Sequence, residues 1–150
     1  MEQIISLHLE FLQQVRADQE VMRQLKERKI EILDGFEHNV EMVRQFYQKW
    51  YGQMPRKRIV LCGINPGKKG AGKTGIPFID YRSLSHLMQG VHGKDAEQSA
   101  QFVYTIISEM GAEHFFSNVY LTNVWNVNTY LDNFYKASCL NSTGVRYPSV

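Results

Sequence analysis

The chain has 150 residues, of which 43% are hydrophobic; this is enough to enclose one core, so we expect a single soluble domain. A formal net charge of +2 neither requires nor excludes a nucleic-acid partner, and two distant cysteines exclude a disulfide framework and a cysteine-based metal site. No run approaches the roughly 18 apolar residues of a membrane span, and the acidic start of the chain lacks the features of a signal peptide. The sequence therefore predicts an intracellular protein without a bound metal.

Two amphipathic helices are predicted at the start of the chain. Apolar residues recur at helical spacing from residue 2 to about residue 29, and again from Phe36 to Trp50. His8 is interpreted as a residue at the edge of the core rather than a ligand. The second helix carries aromatic side chains that can stack on bases, but we interpret them as a stripe packed against a sheet: Phe46, Tyr47, Trp50 and Tyr51.

Two asparagines are predicted at the carboxyl ends of two strands. The apolar run from Ile59 to Cys62 does not alternate with polar residues, which indicates a strand buried on both faces of a parallel sheet, and Asn65 follows it. A second strand is predicted from Phe115 to Val124, with Asn123 near its end. Because ligand sites in parallel sheets lie beyond the carboxyl ends of the strands, both asparagines are candidates for a site.

Two further helices are predicted between these strands. A short helix is expected from about Ser83, and a longer one from Asp95 to Met110. We expect Asp95 to cap the longer helix, which has the character of a crossover helix, and Gly111 to end it.

The segment from Gly67 to Thr74 matches the G-x-x-x-x-G-K-[ST] pattern of a phosphate-binding loop. In such a loop the lysine and the hydroxyl open a helix whose N-terminus holds the phosphates. Here Gly75-Ile76-Pro77 follows, and both glycine and the position before proline disfavour a helix. Nucleotide binding by Lys73 and Thr74 is therefore the less favoured alternative.

A longer motif surrounds that segment. It reads Gly63-Ile64-Asn65-Pro66-Gly67, then six residues, then Thr74-Gly75-Ile76-Pro77-Phe78. This spacing resembles the G-M-N-P-G and T-G-V-P-F motif of the single-strand-selective monofunctional branch of the uracil-DNA glycosylase superfamily. The resemblance covers about residues 36 to 125 and implies a three-layer α/β/α fold with a central, mostly parallel sheet.

The resemblance implies roles for the motif residues. Asn65 would position the water that attacks C1′ of the deoxyribose, and Phe78 would stack on the flipped base. The neighbours Gly63, Ile64, Pro66 and Gly67 would line the substrate site, the two glycines by letting backbone come close to base and sugar. DNA is the implied partner, with no cofactor, no membrane and a monomeric enzyme that does not form a Schiff base.

Asn123 matches the asparagine of the family pattern H-N-L-C-P, although the chain reads Thr122-Asn123-Val124-Trp125-Asn126. In the family this asparagine reads the base. One amide offers an acceptor to N3–H of uracil and a donor to O4, whereas cytosine presents the reverse order. The alternative is that Asn123 simply ends a strand in a turn.

Basic residues flank the motif. Lys68, Lys69 and Lys73, together with Arg56, Lys57 and Arg58, are candidates for contacts with DNA phosphates, which would make binding dependent on salt. A solvated basic loop is the alternative interpretation.

The family's His-Pro-Ser motif has no counterpart: none of the five histidines precedes Pro-Ser, and the nearest match is Tyr147-Pro148-Ser149. We therefore expect a truncated or frameshifted member with an incomplete fold, divided into a helical part of about 1–52, a motif-bearing part of about 56–125 and an unassigned tail, 126–150. Its activity is expected to be impaired, and a non-catalytic DNA-binding remnant is the alternative.

Overall fold

The computed structural model describes residues 2–52 and 57–123, so the tail 126–150, Trp125 and Arg56 lie outside the described residues. Helices and strands follow one another in this order: α1 (Glu2–Ala17), α2 (Gln19–Glu27), α3 (Gly35–His38), α4 (Val40–Tyr51), β1 (Ile59–Gly63), α5 (Ala71–Thr74), α6 (Tyr81–Leu87), α7 (Gln98–Met110), α8 (Ala112–Asn118) and β2 (Val119–Asn123).

The single helix predicted for residues 2–29 is wrong, because the chain breaks it at Asp18. The backbone of Asp18 is extended, and its carboxylate accepts hydrogen bonds of 3.0 Å from the N–H groups of Glu20 and Val21. An aspartate that caps N–H groups in this way starts a new helix instead of continuing the old one. A similar break at Asn39 separates α3 from α4.

Asn39 links the junction of α3 and α4 to residues 63–78, which we call the motif loop. Its Nδ2 donates to the carbonyl oxygens of Gly35 and Lys73, at 2.8 Å each. A Cβ on Gly35 would lie 2.7 Å from the carbonyl carbon of Gly72, so glycine at this position allows α3 and α5 to touch through their backbones. The helical N-terminal part therefore supports the loop directly.

The sheet consists of two parallel strands in the described part of the chain, paired from Ile59 with Val119 to Gly63 with Asn123. The α/β class with parallel strands is thus confirmed, with a short sheet. The predicted start of the second strand is wrong, because Phe115 and Phe116 belong to α8 and are buried in the core. Both strands end at the same level, which sets Gly63 beside Asn123.

The prediction that the first strand is buried on both faces is also wrong. Leu61 packs against the core, but Ile59 is 74% and Val60 58% exposed, and Cys62 is exposed as well. Side chains alternate between the faces of a strand. No described helix covers the face that carries Val60 and Cys62, and this leaves their apolar atoms in solvent.

The aromatic stripe of α4 packs against α8 and β2, as predicted. Phe46 meets Phe116 edge-on with ring centroids 5.5 Å apart, and Tyr51 lies 5.1 Å from the ring of Tyr120. The hydroxyl oxygen of Tyr51 accepts a hydrogen bond of 3.2 Å from the N–H of Leu121. These aromatic rings are therefore part of the core and are not available to stack on bases.

The helices α6 and α7 each begin directly after an acidic residue. The carboxylate of Asp80 accepts from the N–H of Ser83 and caps α6. The predicted cap of α7 by Asp95 is wrong, because α7 starts at Gln98 after Glu97, and Asp95 instead pairs with Lys73. Gly111 ends α7 with a φ of 80°, as predicted. None of the helices in residues 2–52 and 57–123 is long and apolar enough to span a bilayer.

Candidate active site

Three motif residues that are far apart in the sequence meet at the carboxyl ends of the strands. A Cβ built on Gly63 would overlap the amide oxygen of Asn123 and would lie 2.9 Å from Cζ of Phe78. The absent side chain of Gly63 therefore lets the amide of Asn123 and the ring of Phe78 both lie close to the end of β1.

The ring of Phe78 is directed by an unusual backbone. Its φ of 59° lies in the left-handed region, which bulky residues rarely adopt. The buried hydroxyl of Thr74 fixes the turn, because it donates to the carbonyl oxygen of Ile79 at 2.6 Å and accepts from the N–H of Ile76 at 3.2 Å. Such strain costs on the order of 1–3 kcal/mol and persists only where the surroundings enforce it.

The residues between Gly63 and Gly67 form the rim of this region. Asn65 is half-buried, Ile64 is 45% exposed and Pro66 is buried. A small cavity beside Asn123 is lined by Leu33, Phe36, Pro66, Ala71, Gly72, Gly75 and Pro77. Pro66 and Asn123 therefore line the same cavity, and Asn65 immediately precedes Pro66 in the chain.

Gly67 faces a residue that the sequence patterns did not single out. A Cβ built on Gly67 would overlap the carboxylate of Glu97, and a Cβ on Gly70 would lie 2.7 Å from Oε2 of Glu97. Glu97 lies 19 residues after Phe78, the last residue of the motif, and a lone glutamate before a helix carries no pattern that marks it. Its place against the loop is visible only in three dimensions.

Two of the three motif lysines already have carboxylate partners. Nζ of Lys73 lies 2.9 Å from Oδ2 of Asp95, and Nζ of Lys68 lies 3.4 Å from Oε2 of Glu31. Lys69 is exposed and forms no ion pair with any described residue. A phosphate would have to displace the carboxylate from Lys73, whereas Lys69 is available to it directly.

Of the basic residues that precede β1, Lys57 and Arg58 are described, and they differ in exposure. Arg58 donates to the carbonyl oxygen of Phe116 at 2.9 Å and lies over the ring of Tyr51, so its guanidinium belongs to the core surface. Lys57 is exposed. Of the two described residues, Arg58 is therefore the one that the fold already uses.

The geometry of residues 67 to 75 differs from that of a phosphate-binding loop. The helical turn α5 ends at Thr74, where Gly75 adopts a φ of 77°, so Lys73 and Thr74 close a turn and do not open a helix. The hydroxyl of Thr74 is buried and bonded within its own turn. In residues 2–52 and 57–123, no group of three His, Cys, Asp or Glu side chains is placed to hold a metal ion.

Comparison with known proteins identifies the family of this chain. Residues 50–141 match the family model described as the uracil DNA glycosylase superfamily. The chain is similar to the crystal structure of wild-type SMUG2 from Pedobacter heparinus, with 34% sequence identity and a TM-score of 0.55. The match covers 63% of this chain and 42% of that one, so the chain spans less than half the length of the solved structure. No curated protein matches the chain.

Proposed function

Because the chain belongs to the uracil DNA glycosylase superfamily, we propose that it is a DNA repair glycosylase that releases uracil or a related damaged base by hydrolysis of the N-glycosidic bond. The observation that carries the proposal is the convergence of Gly63, Phe78 and Asn123 at the carboxyl ends of β1 and β2. Single-stranded DNA, or a base flipped out of a duplex, is the substrate class.

Asn123 recognises the base in this proposal. Its side-chain amide carries one acceptor and one donor, which match N3–H and O4 of uracil in order. The register that pairs Asn123 with Gly63 holds this amide near the ring of Phe78. A site built to hydrogen-bond one edge rejects the wrong edge strongly, because buried polar groups are then left unpaired.

Phe78 and Gly63 provide the faces of the pocket. The ring of Phe78 stacks on the flipped base, and stacking on an aromatic side chain contributes about 1–3 kcal/mol per base. Gly63 lets the backbone of β1 approach the base because a methyl group there would occupy the space next to the Phe78 ring. Ile64 and Pro66 complete the wall on the side of Asn65.

Asn65 positions the attacking water. An amide does not deprotonate water, and this suits a dissociative reaction in which the glycosidic bond breaks first and the sugar becomes cation-like. Holding the water in line then contributes more than basicity does. The reaction is hydrolysis, and we assign no lysine as a nucleophile, so the enzyme is monofunctional.

The leaving base departs as an anion, and the chain contains no His-Pro-Ser segment to stabilise it. Loss of one electrostatic stabiliser of this kind costs about 10²–10³ in rate. For this 150-residue chain we therefore propose slow excision. The same observation favours, as a second candidate, a DNA-binding protein of this ancestry that does not cleave.

Uracil release from a single-stranded oligonucleotide tests the proposal. Wild-type protein should generate alkali-labile abasic sites, and Asn123→Ala should reduce their formation. Asn118→Ala is the matched control, because Asn118 is exposed and its amide bonds only to the carbonyl oxygen of His114 among the described residues. Binding without release by wild-type protein would support the second candidate instead.

A further inference from the structure

We propose that Glu97 is a positioning residue that holds the turn from Gly67 to Gly70 in place and thereby sets the position of Asn65. The proposal deepens the glycosylase function proposed above and rests on it. It also gives Gly67 a different role: the glycine makes room for a carboxylate, not for the substrate.

The contact between Glu97 and the turn is close. The position that a Cβ of Gly67 would take is filled by the carboxylate of Glu97, and the corresponding position on Gly70 lies 2.7 Å from its Oε2. The turn itself is closed by the carbonyl oxygen of Gly67, which accepts from the N–H groups of Gly70 at 3.2 Å and Gly72 at 2.9 Å. The carboxylate therefore covers a compact turn in which two glycines permit its approach.

Glu97 is held from behind. Its backbone N–H donates to Oδ2 of Asp80 at 2.8 Å, and its Oε1 accepts from the hydroxyl of Ser99 at 2.8 Å. Asp80 is fully buried and also accepts from Nε2 of Gln101 at 2.9 Å. Burial raises the pKa of Asp80, but the hydrogen bonds from Ser83, Glu97 and Gln101 outweigh it and lower that pKa, so Asp80 remains an anionic anchor.

The other carboxylate oxygen shows what this arrangement costs. Oε2 of Glu97 is buried and has no hydrogen-bond partner among the described residues. An unsatisfied buried polar atom is unfavourable, more so when it is charged, and such atoms in native proteins call for an explanation. Holding the motif loop in a defined shape provides one.

Pro66 transmits the constraint to Asn65. Gly67 is separated from Asn65 by this buried proline alone, whose ring fixes its φ. A shift of the turn at Gly67 therefore also displaces Asn65. Displacements of about 1 Å at a reacting group can reduce a rate about 10²-fold.

A double-mutant cycle tests the proposal. Gly67→Ala should push the Glu97 carboxylate aside and slow single-turnover base release, and Glu97→Ala should also slow it, both with little change in the affinity for DNA. In the combined variant the new methyl group has room, so we expect about a tenfold recovery relative to Gly67→Ala, which corresponds to coupling between residues in contact. If the two effects simply multiply, Gly67 acts on the substrate and the proposal is wrong.

A second measurement separates this proposal from the glycosylase function. The side-chain amide resonance of Asn65 in ¹⁵N-labelled protein should shift in Glu97→Ala and stay near its wild-type position in Glu97→Gln, which keeps the shape of the side chain. This readout needs no activity and no DNA. An Asn65 resonance that Glu97→Ala leaves unchanged in folded protein would overturn the positioning role, even if the wild-type protein cleaves; a shifted resonance in a protein that never cleaves would leave the role intact and refute the activity.

Discussion

Gly63 and Asn123 occupy paired positions in two parallel strands, and the missing side chain of the glycine is what leaves room for the amide of the asparagine. Strand pairing fixes the distance between their backbones, so the space between them depends on the residue at position 63. The proposed base pocket therefore depends on the sheet register as much as on the motif.

Gly63→Ala should reduce base release by about tenfold or more, because a buried methyl group that overlaps its neighbours costs about 1–3 kcal/mol. The Asn123 amide must turn away from the methyl group, and the ring of Phe78 must retreat. Single-turnover release from a uracil oligonucleotide measures the effect. Cys62→Ala is the control, because this exposed residue lies on the other face of β1 and should leave the rate unchanged; an equal loss in both variants would contradict the pocket.

Phe78→Ala should weaken recognition of the flipped base by roughly tenfold to a hundredfold, as expected from about 1–3 kcal/mol of base stacking. Phe102→Ala removes an equally large ring that is 69% exposed on α7, far outside the motif. Competition binding with uracil-containing and uracil-free single strands reports the difference. If Phe102→Ala lowers the preference for uracil as much as Phe78→Ala does, the stacking role is wrong.

Asp95→Asn should tighten binding to single-stranded DNA, because it frees the ammonium of Lys73 from its 2.9 Å ion pair. Lys69→Ala should weaken binding and lower the slope of log K against log salt by about 0.7, the contribution of one phosphate contact on a single strand. Fluorescence anisotropy at several salt concentrations measures both. Glu10→Gln removes one exposed negative charge on α1 and is the control for net charge; if it tightens binding as much as Asp95→Asn, the Lys73 pair has no special role.

Stability should fall as the pH drops below about 6.5 because of His8. Burial lowers the pKa of His8 below its ordinary value of 6.5, and its Nδ1 is buried without a hydrogen-bond partner in the described part of the chain. The unfolded chain then takes up a proton more readily than the folded one, so acidification favours unfolding from pH 6.5 down to the folded pKa. Urea unfolding midpoints at pH 7.5 and 5.5 should differ less for His8→Leu than for wild type.

His92→Leu is the control for that measurement, because His92 is exposed. Its midpoints should depend on pH as those of the wild type do. A pH dependence that survives in His8→Leu and disappears in His92→Leu would show that His92 causes the effect, and would contradict the prediction.

The sequence predicted the motif-bearing parts of the fold well, because these depend on local rules. The apolar run after residue 58, the turn at Gly75-Ile76-Pro77 and the end of α7 at Gly111 each rest on residue types with strong backbone preferences. At the motif, α5 ends at Thr74. A nucleotide site would need a helix that begins at Lys73 and Thr74, and no helix begins there.

The errors arose where a local pattern has two readings. The aromatic residues Phe115 and Phe116 suit a strand by composition, but their side chains fill the core from the last turn of α8. Asp18 sits inside a continuous apolar pattern, and only its capping hydrogen bonds show that the helix restarts there. Glu97 is the clearest omission. It contacts Gly67, but it lies about thirty residues away in the chain, in a segment that carries no pattern of its own.

The most direct test of the account is base release by Asn65→Ala protein. Wild-type chain should convert a single-stranded oligonucleotide with one uracil to alkali-labile product, and the mutant should lose this conversion while keeping its unfolding midpoint and its affinity for DNA. That result is expected if Asn65 orients the attacking water. Product formation that persists in folded Asn65→Ala protein would contradict the proposed mechanism, and a folded wild-type chain that binds the strand without releasing uracil would contradict the proposed activity.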